Sequence, residues 1–346
     1  MPSHPAESSS PVRIAQFGLG PIGVESVRLA ATRPWAKIVG GVDIDPAKVG
    51  KTLGELLGDP ALHHAKVYES FDALCDALGE EAPQIVLHTA GSSAKASLEQ
   101  MAPMIRRGVH VASTCEQLLF PALRAPEEAR EAHRLCLEHH ARVVGTGVNP
   151  GFVMDVVPVQ AMAVSHQVDG VHVKRVVDAS TRRQPLQKKV GSGMAPAEFQ
   201  SLFEQGKAGH AGFKESAALI CHAMGWPTSD LRERLEPVVA DAVIQTDHFR
   251  VEPGQVRGLH QTCEAWDGDI KRVDLDLTMA LAEPEPHDRV VIHGDPPLDL
   301  LFQGGVPGDT ATVAALLSAA VRLPACAPGL LLMTDLPAPR FTPPAM

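Results

Sequence analysis

Apolar residues recur along the chain in two rhythms. Short apolar runs bounded by turn residues predict buried strands at Val12–Phe17, Ala36–Val42, Lys66–Tyr68, Ile85–Thr89, Val109–Ser113 and Arg142–Gly145. Between them the apolar positions return at helical spacing. Val24, Val27, Leu29 and Ala30 form the first such segment, and Asp45-Pro46 opens a second that Gly58 closes. A third starts at a Ser70 cap and ends near Gly79, a fourth reaches Arg107 before Gly108, and a fifth runs from Pro126 to His140. A short turn over Glu116–Phe120 stops at Pro121. Strands and helices alternating at this spacing predict a doubly wound parallel sheet. Ligands of such sheets lie beyond the carboxyl ends of the strands, so the loops after Phe17, Val42, Thr89 and Ser113 are expected to share one crevice.

The rhythm changes after Gly147-Val148-Asn149-Pro150-Gly151, a turn-rich stretch that reads as a hinge. A helix over Met154–Val164 and a long strand over Val171–Ala179 come next, then helical segments around Ala197–Gln205 and Phe213–Met224. From Val238 to about Phe302 strand follows strand, at Val243–Val251, Val256–Ala265, Val273–Ala282 and Val290–His293, as in a mixed or antiparallel sheet. Asp309 is placed to cap a last apolar helix that ends at Val321 before Pro324. The expected organisation is a tail over 1–11, a parallel-sheet domain over 12–150 and an α+β domain over 151–305. A helix and tail over 306–346 would pack back on the first domain.

The turn between the first strand and the first helix adds chemistry. It reads Gly18-Leu19-Gly20-Pro21-Ile22-Gly23, the G-x-G-x-x-G pattern between a strand and a helix. The first glycine permits the turn, the second lets backbone approach a pyrophosphate, and the third lets helix pack on strand. The anion would rest on unpaired N–H groups at the positive end of the helix. Asp43, at the end of the second strand, lies at the interval of about 20 residues expected for a carboxylate that binds ribose hydroxyls. Fold class and motif together give an α/β chain with a Rossmann-type dinucleotide domain. Asp43 favours NAD over NADP, whereas Lys48 and Lys51 close by leave dual use open. The competing reading makes Asp43 a turn residue and Asp45 the cap of the next helix.

Composition narrows the partners. A formal charge of −10 over 346 residues argues against nucleic acid and anionic membrane surfaces, and no apolar run approaches the length of a membrane span. The opening MPSHPAESSSP has no apolar core of a signal peptide. The 6 cysteines are scattered without a C-x-x-C pair, so reduced thiols and a cytoplasmic setting are expected. Among 16 histidines the close pairs, His63-His64 and His139-His140, are sequence neighbours that point apart, so no metal site is expected.

Three further features could carry chemistry. Glu116 follows the strand Val109–Ser113, where a carboxylate could take a proton from an amine, a hydroxyl or an attacking water. Ser113-Thr114-Cys115-Glu116 also has the form of a capping box, which would make Glu116 structural. Cys115 has no activating neighbour and reads as a packing residue. The segment Thr181-Arg182-Arg183-Gln184-Pro185-Leu186-Gln187-Lys188-Lys189-Val190-Gly191-Ser192-Gly193 gathers four cations, either to hold a substrate carboxylate or cofactor phosphates or as a solvated loop. His210, in a glycine-rich stretch, lines the pocket or serves as a surface or packing residue.

These segments, with HTAGS (88–92), STCEQLLFP (113–121), GTGVNPGFVMDV (145–156), VVDASTRRQPLQKKVGSG (176–193) and GDTATVAALL (308–317), resemble the 2,4-diaminopentanoate dehydrogenase and native amine dehydrogenase family, distant relatives of dihydrodipicolinate reductase. The resemblance spans nearly the whole chain beyond the tail. It implies reversible NAD- or NADP-dependent deamination of a primary amine, or reductive amination of an aldehyde or ketone with ammonia. It also implies Glu116 as the acid/base group and a homodimer built through the second domain. Asp178-Ala179-Ser180-Thr181-Arg182-Arg183 departs from the Asp-Ala-Pro-Ser-Gly-Thr of dihydrodipicolinate reductases. Gln117 stands where sugar dehydrogenases of the glucose–fructose type carry lysine. Within the expected site, the cofactor contacts are Gly18, Gly20, Pro21, Ile22, Gly23, Asp43, Ile44, Thr89, Ala90, Gly91, Ser113, Thr114, Cys115 and Asn149. The expected substrate contacts are Phe152, Met154, Thr181, Arg182, Arg183, Gln184, Met194 and His210. A 2,4-diaminopentanoate dehydrogenase and a non-catalytic NAD(H) sensor are the competing functions.

Overall fold

The computed structural model describes residues 10–339 and 341–344, so the tail expected over 1–11 lies outside the described residues as far as residue 9. The chain divides into two compact units, one made of residues up to Gly147 together with those from Gly308 onward, the other of Val148–Pro307.

The first unit begins with β1 (Val12–Phe17), α1 (Pro21–Ala31), β2 (Ala36–Val42), α2 (Leu53–Leu57), β3 (Lys66–Tyr68) and α3 (Phe71–Leu78). It continues with β4 (Ile85–His88), α4 (Ala94–Arg106), β5 (His110–Ser113), α5 (Pro126–Glu138) and β6 (Arg142–Gly145). The helix expected from Asp45 is shorter than its start signal implied. Asp45 Oδ1 accepts the Ala47 N–H at 2.9 Å and Gly50 turns at φ +84, so this stretch closes on itself as a turn. The helix starts instead at a capping box. Thr52 Oγ1 accepts the Glu55 N–H at 3.1 Å, Glu55 Oε2 accepts the Thr52 N–H at 2.7 Å, and Gly58 ends the helix in the left-handed conformation.

The second unit holds α6 (Val156–Met162), β7 (Gln167–Asp178), α7 (Gln184–Lys189), α8 (Pro196–Glu204) and α9 (Phe213–Met224). Then come β8 (Leu231–Val239), β9 (Ile244–Gln245), β10 (Arg250–Val251), β11 (Val256–Asp267), β12 (Ile270–Ala280), β13 (His287–Asp295) and β14 (Leu298–Gln303). Six of these strands form one mixed sheet in the order β14-β13-β7-β12-β11-β8. Along β11 and β12 buried positions alternate with half-buried ones, and α9 covers the buried face with Ala217, Ile220 and Cys221. The strand expected over Val243–Val251 is a small hairpin of β9 and β10, because Thr246 turns the chain there by accepting the N–H groups of His248 and Phe249.

The chain then returns to the first unit with α10 (Gly308–Ala320), which packs on α1, and with β15 (Gly329–Leu331). The parallel sheet therefore has seven strands in the order β15-β6-β5-β4-β1-β2-β3. Its order reverses between β1 and β4, the place where α/β sheets of this kind bind ligands. Helices on its flanks bury Met101, Met104, Ile105, Leu118 and Cys136 against Val86, Val111 and Val143.

Candidate active site

The carboxyl ends of five strands lie in register. Phe17 pairs with Val42 and with His88, His88 pairs with Ser113, and Ser113 pairs with Gly145. The loops that follow therefore leave one edge of the sheet, and they carry Gly18–Gly23, Asp43, Thr89–Gly91 and Thr114–Glu116. The expected strand over Ile85–Thr89 ends one residue early, at His88, which frees Thr89 for the loop.

Thr89 locks the glycine turn. Its hydroxyl donates to the Gly18 carbonyl at 2.9 Å and accepts from Gln16 Nε2 at 2.9 Å, while the same Gln16 amide donates to Gly18 O at 2.9 Å. Gln16 is a buried polar residue of β1 that the pattern passed over, although a polar residue at the end of VRIAQF is the signal that could have marked it. Gly18 takes φ +86. A Cβ on Gly23 would stand 1.9 Å from the Gly18 carbonyl oxygen, so the helix approaches the strand only because that position is bare. At Gly20 a Cβ would meet nothing within 4 Å, which leaves open space over the turn. The start of α1 has Gly20 as its cap with no side-chain hydrogen bond, and Pro21 in the first turn. The first-turn N–H groups are thus left for an external acceptor, and the residues present fit a dinucleotide pyrophosphate.

Asp43 is tied into this turn. Its Oδ2 accepts the Leu19 N–H at 2.7 Å, its Oδ1 accepts the Asp45 N–H at 2.9 Å, and the Lys48 ammonium donates to Oδ2 at 3.2 Å. Burial opposes its charge, but the two N–H groups and Lys48 outweigh it and hold the carboxyl below its usual value. Ile44, next along, is 91% exposed.

The loop after β5 is built differently from its expected form. Cys115 caps the 3₁₀ turn Glu116–Leu119, with no side-chain cap bond, so the Ser113–Glu116 capping box is not formed. The Ser113 hydroxyl is turned elsewhere: its Oγ accepts the Cys115 N–H at 3.1 Å and lies 2.9 Å from His88 Nδ1. Gln117 Oε1 accepts the Ala94 N–H at 2.9 Å at the start of α4. Glu116 is half-buried, and among the described residues its carboxylate enters no hydrogen bond or ion pair. Cys115 is buried, and burial raises its thiol pKa, as befits a packing residue. His88 and Gln117 lie in segments that carry the family resemblance, but their hydrogen-bonding roles, and Gln100 altogether, were missed by pattern alone.

In the second unit, Asn149 and His210 come together: His210 Nε2 donates to the Asn149 carbonyl at 2.8 Å. Burial drives the His210 pKa down to about 4, so the ring is neutral. Both polar atoms of the Asn149 amide are buried without a partner among the described residues. The buried Asp155 fixes the stretch behind them, accepting from Ser216 Oγ at 2.6 Å, Gly151 N at 2.9 Å and Val156 N at 2.7 Å. This makes Asp155 the cap of α6, which starts two residues later than the expected Met154. Met154 is fully buried, and Phe152 is half-buried.

The basic stretch wraps around Gln187, whose Nε2 donates to Ser180 O at 2.9 Å and Arg182 O at 2.8 Å while its Oε1 accepts from Thr246 Oγ1 at 2.9 Å. Thr181, Arg182 and Arg183 lie in the turn before α7, which opens at Gln184. Met194 lines a cavity of about 310 Å³ with Lys188, Lys189, Lys207, Phe199 and Leu202. Among the described residues none of these three lysines forms an ion pair. Among the same residues no group of three or more His, Cys, Asp or Glu is arranged to hold a metal ion, and no helix is long and apolar enough to cross a membrane.

Comparison with known proteins agrees with this architecture. The 2,4-diaminopentanoate dehydrogenase of Acetoanaerobium sticklandii is 28% identical over 343 residues, covering 95% of this chain and 94% of that protein. An amine dehydrogenase of Streptomyces virginiae is 23% identical over 235 residues, 66% of this chain and 64% of its own length. The solved structure of an amine dehydrogenase from Mycobacterium smegmatis shares the fold, with a TM-score of 0.82 at 21% identity over 96% of this chain and 98% of that one. Residues 152–344, more than half of the chain, match the family described as the 2,4-diaminopentanoate dehydrogenase C-terminal domain, and the chain belongs to that family.

Proposed function

We propose that the protein is an NAD(P)-dependent amine dehydrogenase that interconverts a primary amine with an aldehyde or ketone plus ammonia. The observation that carries the reading is Glu116. It is an unengaged carboxylate directly beyond β5, on the same sheet edge as the glycine turn. The names of the relatives, which act on amines, supply the reaction class.

When bound, the nicotinamide cofactor would supply the hydride acceptor for the oxidative direction. The glycine turn and the start of α1 would hold its pyrophosphate, and Asp43 would face its adenosine ribose. Glu116 takes a proton from the substrate ammonium, which exposes the nitrogen lone pair that drives hydride departure. It gives that proton to solvent, then takes one from the water that adds to the iminium carbon and passes it to the departing nitrogen, while the carbinolamine hydroxyl loses its own proton to solvent as ammonia leaves. The Asp43 carboxylate favours NAD, and Lys48 beside it keeps NADP within reach. The working assembly in this reading is a cytoplasmic homodimer, as the family resemblance implies.

The substitution Glu116→Gln tests this. The variant is expected to bind NADH as the parent does and to melt within a few degrees of it, while deamination falls by about 100-fold or more. Unchanged turnover would remove Glu116 from the chemistry. Tight NADH binding by the parent, with no turnover across a panel of carbonyls with ammonia, would make the chain a sensor instead.

One observation favours a narrower substrate. The cavity carrying Lys188, Lys189 and Lys207 offers three ammonium groups beside apolar walls, a setting for an amine that also bears a carboxylate. Turnover on 2,4-diaminopentanoate compared with a simple aliphatic amine separates the two substrate classes.

A further inference from the structure

The half-buried Glu116 stands on a turn braced from three sides. Gln117 ties it to the start of α4 through the Ala94 N–H. Gly145 of β6 lies so close beneath it that a Cβ there would stand 2.3 Å from the Leu118 carbonyl carbon, which fixes the depth of the turn. The third brace is a chain of polar groups that runs inward through the sheet. Gln100 Oε1 can only accept, so the 3.0 Å contact with His88 Nε2 places the ring proton on Nε2. His88 Nδ1 is therefore an acceptor, and the Ser113 hydroxyl, 2.9 Å away, donates to it. With its proton so directed, Ser113 Oγ presents a lone pair to the Cys115 N–H at 3.1 Å, one residue before Glu116.

Every group in this chain has one arrangement. A hydroxyl left to itself rotates, and here the ring acceptor removes that freedom. His88 is fully buried and stacks on Phe17, with ring centroids 5.2 Å apart and planes inclined by 22°. Burial holds its pKa near 4, so the ring remains a neutral acceptor at neutral pH and does not switch to a double donor that would turn the serine round. Ser113 is also fully buried, with no water-facing alternative for its hydroxyl.

We propose that His88 and Ser113 are positioning residues for the acid/base step: the relay from Gln100 through His88 and Ser113 to the Cys115 N–H sets the direction in which Glu116 leaves the sheet edge. The inference rests on the reading of Glu116 as the acid/base group. Neither His88 nor Ser113 exchanges a proton with substrate in this scheme. Their work is to hold the preceding peptide still, since a displacement of about 1 Å at a reacting group can cost on the order of 100-fold in rate. The relay joins two strand ends, β4 and β5, so it also keeps Glu116 in register with the loop that begins at Thr89.

The test is a double-mutant cycle on the full chain, with Ser113→Ala, Glu116→Gln and their combination, supported by His88→Asn and His88→Phe. Ser113→Ala is expected to lower kcat by about 10- to 100-fold, since about 1 Å of displacement at a reacting group costs on the order of 100-fold, with the KM for amine within twofold of the parent. The double variant is expected to turn over no more slowly than Glu116→Gln alone, because the serine acts only through the glutamate. His88→Asn keeps an acceptor near the Nδ1 position and is expected to retain most of the activity that His88→Phe loses. Additive losses in the double variant, or a Ser113→Ala variant with parental kcat while Glu116→Gln is inactive, would overturn the relay and leave the role of Glu116 standing. A Glu116→Gln variant with parental turnover would instead overturn the reading on which the relay rests.

Discussion

The glycine turn of the first unit and the basic stretch of the second are both segments that leave the end of a strand, yet a different feature dominates each. Residues 18–23 are shaped by what is missing. Gly18 reaches φ +86 and Gly23 lets α1 close on β1 because neither carries a side chain. Residues 180–193 are organised around a buried side chain, Gln187, which satisfies two carbonyls and a hydroxyl, with Gly191 at φ +86 closing the segment against Phe199. The first kind of loop is written in residue types that have few other uses, and the second in a residue type that is ordinarily exposed. The glycine turn was accordingly readable from the sequence, and the fold of the basic stretch was not.

The sharpest way to test this contrast is to give the glycine turn a side chain. Gly23→Ala places a methyl group 1.9 Å from the Gly18 carbonyl oxygen and 2.9 Å from Thr89 Oγ1, so helix and strand must separate. We expect NADH binding, followed by fluorescence titration, to fall by more than 100-fold, with a destabilisation of about 1–3 kcal/mol. An alanine variant that binds NADH normally would show that the turn owes its shape to Thr89 and Gln16 alone.

The corresponding change in the second unit removes a group. Gln187→Leu has similar bulk but leaves the Ser180 and Arg182 carbonyls without their partner, while the Thr246 hydroxyl keeps Phe249 O as its acceptor. Each buried polar group stranded in this way costs about 1–3 kcal/mol. The expected result is a lower melting temperature, with faster hydrogen exchange and proteolysis confined to residues 180–193 and the β9–β10 hairpin. Parental exchange rates in both segments would mean that the stretch is held by its flanking helices rather than by Gln187.

The same contrast explains which parts of the chain were legible. Strands β1, β2, β3 and β6 and helix α9 fall where apolar spacing put them, because burial on both faces or on one stripe leaves a plain pattern. Strand β8 was passed over because LRERLEPVV carries its charges on an edge strand with one half-exposed face, so no apolar run marks it. Strand β15 has three residues and owes its place to pairing with β6, a contact between residues nearly two hundred positions apart. The places of Gly18–Gly23 between β1 and α1, of Asp43 after β2 and of Glu116 after β5 were legible from spacing. His88, Gln100 and Gln187 were not, since nothing local distinguishes a buried partner from a solvated side chain. The Ser113–Glu116 spacing was misleading for a related reason: a capping box needs the serine oxygen to accept the Glu116 N–H, and Ser113 Oγ, oriented by His88, accepts the Cys115 N–H instead.

The smallest expected effect lies where the two strategies meet, at Asp43. Its carboxylate braces the glycine turn through the Leu19 N–H, and Lys48, 3.2 Å away, offsets part of its charge. A 2′-phosphate brought to this place would be repelled by the carboxylate and attracted by the ammonium, so the preference between cofactors is a small difference of two terms. Net of screening by solvent and salt, each is worth on the order of 1 kcal/mol. Lys48→Ala removes the attraction alone and is expected to lower the ratio of NADPH to NADH turnover by about 3- to 10-fold, while leaving NADH turnover near the parental rate. Asp43→Ser removes the repulsion and is expected to raise the same ratio, with some loss of NADH affinity because the Leu19 N–H loses its acceptor. Opposite movements of one ratio, read from steady-state kinetics with both cofactors, require that both side chains face the ribose. Movement in the same direction, or none, would place the ribose elsewhere and leave Asp43 as a brace for the turn.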